Sequence, residues 1–320
     1  MEPERILEPM LENFRLRVFR EVAQQGNFRR AAEVLYISQP AVTQQIKALE
    51  EELGHRLLDR GGGRVRTTAA GELLLLHAAR SEATLRDALE ALAALGGEVK
   101  GTLGIAASTT IAQYILPRLL AAFGRRYPGV ALQLESANTE HVVERVASGG
   151  AALGLVEGPA HRPDLLIEPW ISDELVLVVS SAHAWAGMTI TPDQLSEAPL
   201  LLREQGSGTR AVLEAALREA GLPMDALHIT MQLGSTEALL ACVEAGLGVG
   251  FASRFALRRQ RKLRTLAVVP IQGLRVGRTL SLIRQRGPSL DLAEKFAEFL
   301  EQFAQRRKVK LARNSDVMPP

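Results

Sequence analysis

The chain has 320 residues, 47% of them hydrophobic and 23% charged, with 38 lysines and arginines against 36 aspartates and glutamates. That length accommodates two or three domains, and the composition is that of an ordinary soluble globular protein. A formal charge of only +2 excludes a polycation, so affinity for nucleic acid has to come from local placement of charge. The first informative stretch, Asn27 to Leu53, reads NFRRAAEVLYISQPAVTQQIKALEEEL. It predicts two short amphipathic helices across a tight break. Asn27 is suited to cap the first, whose inward face carries Ala31, Ala32 and Leu35; Tyr36 and Ile37 fill the break. Ser38 is suited to cap the second, with Pro40 in its first turn, where a missing N–H costs nothing.

In that second helix Val42, Ile46, Leu49 and Leu53 form one apolar stripe. The opposite face carries Gln39, Pro40, Thr43, Gln44 and Lys47, with no carboxylate before Glu51. Amide and hydroxyl groups with one cation suit a helix that enters the major groove of double-stranded DNA: Gln44 can pair with adenine, Thr43 can touch a thymine methyl, and Lys47 can reach guanine or phosphate. Arg29 and Arg30 add cations on the preceding helix. Gly54 is placed to end the helix. Three glycines then separate Leu57–Leu58 from Arg64–Val65–Arg66, which predicts a β-hairpin wing whose Arg64 and Arg66 grip phosphate or minor groove. The segment Phe14 to Gly71 resembles the winged helix-turn-helix of LysR-type transcriptional regulators. The resemblance rests on Phe14, Phe19, Gly26, Phe28, Ala31–Ala32, Leu35, Ser38–Gln39–Pro40–Ala41, Gln45–Ile46, Leu49–Glu50, Leu53–Gly54, Leu57, Arg60, Arg64–Val65, Thr68 and Ala70–Gly71. Gln44, Asn27 and Leu58 depart from the residues usual there (arginine, serine and phenylalanine).

Residues 69–97 predict a long helix with Thr68 as N-cap. Leu74, Ala78, Ser81, Leu85, Ala88, Leu92 and Leu95 make a heptad seam, read as a dimerisation helix; the resemblance implies the linker helix of an antiparallel pair. From Lys100 strands and helices alternate, which predicts parallel sheets in an α/β fold. Strands are expected at 102–106, 131–135, 153–156, 174–179, 200–203, 228–233, 248–251 and 278–283. Helices are expected at 110–126, 140–149, 209–220, 235–245 and 290–304. The division is thus a DNA-binding domain at 10–68, the linker helix at 69–97 and an effector domain at 100–305. The resemblance implies for the last the two-lobed fold of periplasmic binding proteins, with lobe I at 101–172 and 274–304 and lobe II at 173–273. The tail at 306–320 lacks periodicity and is expected to be disordered.

Ligands in such folds collect beyond strand carboxyl ends, at helix N-termini. Ser108, Thr109 and Thr110 stand at one such place. Arg203–Arg210, REQGSGTR, stands at another, offering Glu204, Ser207, Thr209 and the cation of Arg210 for an anion. Asn138–Thr139, Glu157 and Ser235 are weaker candidates. The stretches ASTTIAQYILPRLL and LREQGSGTR resemble the LysR branch containing regulators of carbon fixation and of sulfur or cysteine metabolism, which implies an anionic metabolite as effector. Gln205 stands where a nucleophile elbow needs glycine, and no catalytic constellation is visible, so no enzyme is expected. The six histidines lack metal-ligand spacing, and neither metal nor cofactor is expected. One cysteine, Cys242, fits a reducing cytoplasm and reads as a buried thiol. The N-terminus lacks the apolar core of a signal peptide, and no apolar run is long enough for a membrane span. The leading reading is a cytoplasmic, ligand-responsive transcriptional regulator acting as a homodimer or homotetramer. A solute-binding protein or sensing module without transcriptional output explains only the C-terminal lobes. An α/β enzyme fused to a DNA-binding module lacks its acid–base groups.

Overall fold

A computed structural model of the chain describes residues 13–59, 65–94, 99–287 and 291–315. The chain divides into two compact units, one of residues up to Leu92 grouped with Ser148–Gly150 and the other of the rest from Ala93 onward. In the first, α1 (Phe14–Gln25), α2 (Phe28–Leu35) and α3 (Gln39–Leu53) follow one another closely. Each start is fixed by a side-chain oxygen on a free backbone N–H: Asn13 on Arg15, Asn27 on Arg29 and Arg30, and Ser38 on Ala41. Gly26 and Gly54 end α1 and α3 in left-handed conformation. Val18, Phe19 and Val22 pack with Ala31, Ala32, Val42, Ile46, Leu49, Leu57 and Leu58 in one core.

Two expected core residues lie outside it. Leu53 closes the apolar stripe on paper but is 43% exposed, because the helix ends there at Gly54. Tyr36 is 84% exposed: it takes the left-handed cap of α2, and Ile37 alone turns inward to fill the break. The wing pairs β1 (Leu58–Asp59) with β2 (Arg66–Thr67), which overlaps the expected strand at 64–66 only at Arg66 and ends one residue beyond it. Val65 is drawn off the ladder by donating its N–H to the Gly26 carbonyl. Arg64 and the glycine tip fall outside the described residues. Thr68 caps α4 (Ala69–Ala94) through Gly71 N–H at 3.1 Å. Gly71 occupies the place of a capping-box acid because a Cβ there would stand 2.1 Å from the Leu57 carbonyl oxygen. Of the heptad seam, Ala78 is buried, Leu74 and Leu85 are half-buried and Ser81 is exposed. The side chains of Ala88 and Leu92, and all of Leu95, fall outside the described residues.

The second unit is built on a nine-stranded mixed sheet. Lobe I joins β3 (Gly101–Ser108), α5 (Thr109–Tyr114), α6 (Leu116–Arg126), β4 (Val130–Ala137), α7 (Thr139–Ala147), β5 (Leu153–Val156) and α11 (Asp291–Ser315). Lobe II joins β7 (Leu200–Arg203), α8 (Gly208–Glu219), β8 (Ile229–Leu233), α9 (Thr236–Glu244), β9 (Val249–Ser253), α10 (Arg258–Leu263) and β10 (Leu266–Val269). The long strands β6 (Leu165–Ser180) and β11 (Val276–Gln285) run through both, giving the order β4-β3-β5-β11-β6-β9-β7-β8 with β10 added on β6. Pairing is parallel for β3 with β4 and β5 and for β7 with β8 and β9. The crossing strands pair antiparallel, with each other and with β5, β9 and β10, so the expectation of parallel sheets holds only within each lobe.

Lobe I packs Phe123, Phe296, Leu103, Ile105, Leu153 and Leu280 around the α6–α11 side of the sheet. Lobe II has cores on both faces of its half, around Leu200, Leu213 and Phe251 and around Leu201, Leu240 and Val243. Cys242 is half-buried against the second of these. The first half of β6, β10 and α10 have no counterpart among the expected elements. In β6 the proline of LLIEPW argues against a strand; it sits where the β11 register shifts, and the extra residue there is Trp170. Beyond the expected boundary at residue 305, α11 continues to Ser315 through part of the tail expected to be disordered, since 306–315 holds no glycine or proline to stop it. Among the described residues, no helix is long and apolar enough to cross a membrane.

Candidate functional site

Helix α3 sorts its residues as a groove-reading helix requires. Val42, Ile46 and Leu49 are buried, while Gln39, Pro40, Gln44 and Lys47 are exposed and Thr43 is half-buried. Positions 39, 43 and 47 fall one turn apart, and 40 and 44 flank them on the same side. The Thr43 hydroxyl is held at 3.1 Å by the Gln39 carbonyl. Lys47 stands 3.6 Å from Glu51, both largely exposed, a pairing too weak to withhold the ammonium from phosphate. Ser38 is exposed but spends its oxygen on the cap. Arg29, Arg30 and Arg66 are exposed, Arg29 at 3.3 Å from Glu33.

In the second unit the candidates from the two lobes meet across a buried polar seam. Ser108 ends β3 and lies 3.0 Å from Thr139, the two hydroxyl oxygens facing each other at the starts of α5 and α7. Thr109 accepts a hydrogen bond from Arg203 Nη1 at 2.9 Å, and Thr236, at the start of α9, accepts from the same nitrogen at 3.0 Å. Thr110 meets Thr236 at 3.4 Å and donates its N–H to Glu157. Glu204 grips Arg203 with both oxygens, at 2.8 Å to Nε and 2.8 Å to Nη2. Thr209 accepts from Arg278 Nη1 at 2.9 Å.

Two arginines that the sequence did not single out therefore organise the seam. Arg203, the last residue of β7, is 2% exposed. Arg278 on β11 is held by the buried carboxylates of Asp173 and Glu157. Its Nη2 lies 2.8 Å from an oxygen of each, close enough to ion-pair yet poorly aligned for hydrogen bonds. Asp173 is braced in turn by the Ser253 hydroxyl. A cation ending a strand of three leucines, at the edge where ligands gather, was the available signal for Arg203. Nothing local marks Arg278, Asp173 or Thr236.

Backbone approach is equally close. A Cβ on Gly158 would stand 2.5 Å from the Gly208 Cα, and one on Gly208 would stand 2.5 Å from the Thr139 hydroxyl oxygen. The Glu140 N–H donates to the Gly206 carbonyl at 3.2 Å. Asn138 reaches the Gln205 carbonyl with its amide nitrogen, while its oxygen caps His141 N–H. Tyr114 of lobe I donates to Glu237 of lobe II at 2.6 Å, and burial, reinforced by that carboxylate, pushes the phenol well above its ordinary range.

Two expected residues do not join the cluster. Arg210 pairs one turn on along α8 with Glu214 at 2.6 Å and donates to the Arg203 carbonyl. Ser235 spends its hydroxyl capping α9 on Ala238 N–H at 3.1 Å. Ser207, by contrast, is buried at the N-terminus of α8 with a hydroxyl that finds no hydrogen-bond partner among the described residues. It lines, with Thr139, His161, Arg162, Gly206 and Arg210, a cavity of about 380 Å³ that meets the seam at Thr139 and Ser207 and is walled by neither Arg203 nor Arg278. Among the described residues, no group of histidine, cysteine or carboxylate side chains is placed to hold a metal.

Residues 14–72 match the bacterial regulatory helix-turn-helix domain of the lysR family, and residues 96–305 match the LysR substrate binding domain. A probable RuBisCO transcriptional regulator of Nostoc sp. is 35% identical over 298 residues, covering 90% of this chain and 88% of its own. The structure of full-length CbnR complexed with its target DNA is similar with a TM-score of 0.66 at 27% identity, over 90% of this chain and 98% of that one. The regulatory domain of Synechocystis CcmR in complex with 2-PG is similar with a TM-score of 0.59 at 26% identity, over 64% of this chain and 98% of that one.

Proposed function

The chain belongs to the LysR family of DNA-binding transcriptional regulators, and from that premise we propose that it responds to a small phosphorylated or carboxylated metabolite held between the lobes of its C-terminal domain. The observation that carries this reading is the buried polar seam, where Arg203 and Arg278 stand among the hydroxyls of Ser108, Thr109, Thr139, Ser207 and Thr209. Guanidinium forks and hydroxyls at the starts of three helices are the groups that recognise phosphate and carboxylate oxygens. The adjoining cavity is of small-metabolite size. The anion bound by the Synechocystis relative, 2-phosphoglycolate, is of this chemical kind.

On this reading α3 reads bases through Gln39, Pro40, Thr43 and Gln44 and sets Lys47 on a phosphate, with Ser38 setting the helix start. Arg29, Arg30, Arg64 and Arg66 hold the phosphate backbone. The effector group is Ser108, Thr109, Thr110, Asn138, Thr139, Glu157, Glu204, Ser207 and Thr209, with Arg210 on the cavity wall and Ser235 as a helix cap. The DNA-binding domain at 10–68, the linker helix at 69–97 and an effector domain from residue 100 keep their places, with α11 carrying the last past 305 to Ser315, and α4 pairs with its copy in a homodimer or homotetramer. The regulator works in the cytoplasm and carries out no catalysis. Effector binding acts by its different affinity for two arrangements of the lobes. The test is a thermal-shift and gel-shift series with 2-phosphoglycolate and related anionic metabolites on the full chain. A shift in melting temperature with altered operator affinity supports the reading, and indifference to every anion in the series removes it.

A further inference from the structure

The two seam arginines differ in how their carboxylates are held. Arg278 is locked: Asp173 and Glu157 are both buried, and the Asp173 oxygen that faces away from Arg278 is taken by Ser253. Arg203 is paired differently. Its Nη1 is fixed by Thr109 and Thr236, one hydroxyl from each lobe. Its Nε and Nη2 are covered by a carboxylate in the bidentate geometry that an effector carboxylate or phosphate would use, and Nε is shared with the Leu233 carbonyl at 3.2 Å. That carboxylate belongs to Glu204, whose side chain is 27% exposed against 2% for Arg203. Glu204 alone among the acids of the two arginine clusters has solvent to move into.

We infer that Glu204 is an internal competitor for the effector: its carboxylate holds the anion position on Arg203, and an anionic metabolite binds by displacing it. This rests on the cleft reading above and sharpens it. The exchange is one carboxylate for another on the same guanidinium fork, so the buried charge of Arg203 is never left unpaired. Its net driving force is the surplus that the incoming anion gains from the surrounding hydroxyls. Glu204 thereby sets the concentration at which the regulator responds, and favours ligands carrying two anionic groups or a phosphate over simple carboxylates.

The experiment is calorimetric titration of the full chain with 2-phosphoglycolate in the parent, Glu204→Gln, Glu204→Ala and Thr109→Val proteins. If Glu204 occupies Arg203 about nine-tenths of the time, its removal tightens binding about tenfold. Glu204→Ala is then expected to bind about tenfold more tightly than the parent, with Glu204→Gln between them. Glu204→Gln keeps the side-chain shape and guards against loss of fold in the alanine variant. Equal or weaker binding in both Glu204 variants overturns the exchange. If Thr109→Val still weakens binding in that case, the cleft reading survives alone; if Thr109→Val also leaves binding unchanged, both fall. Failure of every protein to bind overturns the exchange as well, since an uncovered Arg203 would then take no anion.

Discussion

Arg203 donates from Nη1 to the Thr109 hydroxyl at 2.9 Å, so one buried guanidinium from the end of β7 reaches the start of α5 and joins the two lobes. The same nitrogen is tied to Thr236 in its own lobe. The junction is therefore a three-group arrangement in which each hydroxyl replaces a water that the guanidinium lost on burial.

Replacing Thr109 with valine keeps the shape and removes the acceptor. The orphaned N–H of a buried cation is expected to cost ~1–3 kcal/mol, read as a lower melting temperature of the C-terminal domain. Equal melting temperatures for the variant and the parent would show that the contact is energetically idle.

Gly158→Ala tests the close approach of the lobes. The added methyl would stand 2.5 Å from the Gly208 Cα, where backbone on both sides leaves no flexible group to give way. The expected result is a protein that binds operator DNA but no longer changes its affinity when 2-phosphoglycolate is added. A normal response would mean that the lobes need not touch at these glycines.

For α3, Gln44→Ala is expected to lose ~1–3 kcal/mol of specific binding and to relax preference at one base position. Lys47→Ala should weaken binding to all sequences alike and lower the salt slope of log K by about one unit. Gel shifts over a salt series with operator and scrambled duplexes separate the two. Unchanged affinity in both variants would detach α3 from DNA.

Tyr114 gives a pH signature. Its phenol is held above the ordinary value of 10.0 by burial and by Glu237. The folded state therefore keeps a proton that the unfolded chain would release. That contribution to stability is complete below pH 10.0 and is lost as pH climbs toward the raised folded value. Ultraviolet titration should show one tyrosine ionising late in the parent, and no such late step in Tyr114→Phe. Glu237→Gln should bring the step earlier. A late step that persists in Tyr114→Phe would assign it to another residue.

The sequence was most legible where the deciding groups are neighbours along the chain. Asn27, Ser38, Gly54 and Thr68 act within a turn of their own positions, and the starts of α2, α3 and α4 and the end of α3 follow from them. Strands β5 and β7 are bounded as expected because each is a short run buried throughout, apolar except for Arg203 at the end of β7. The first half of β6 was hidden by Pro169, which only a register shift against β11 accommodates. The cleft was half legible. Its hydroxyls sit at strand ends, a position rule that sequence can apply. Its arginines act across 94 residues, from Arg203 to Thr109, and across 105, from Arg278 to Asp173. Arg210 was the cation expected there, yet Glu214 one helical turn away claims it.

The antiparallel pairing of β6 with β11 extends over ten residues of β11, from Val276 to Gln285, and belongs to both halves of the domain at once. A slip along that ladder by a single step would turn every inward residue outward, so sliding is forbidden as a mode of movement. What is left is torsion of a two-ribbon strap, which tilts one half against the other while all rungs stay made. A signal sent through this strap is therefore expected as a small rotation, and stiffening it near the Trp170 irregularity is expected to mute the output without touching either the metabolite or the operator.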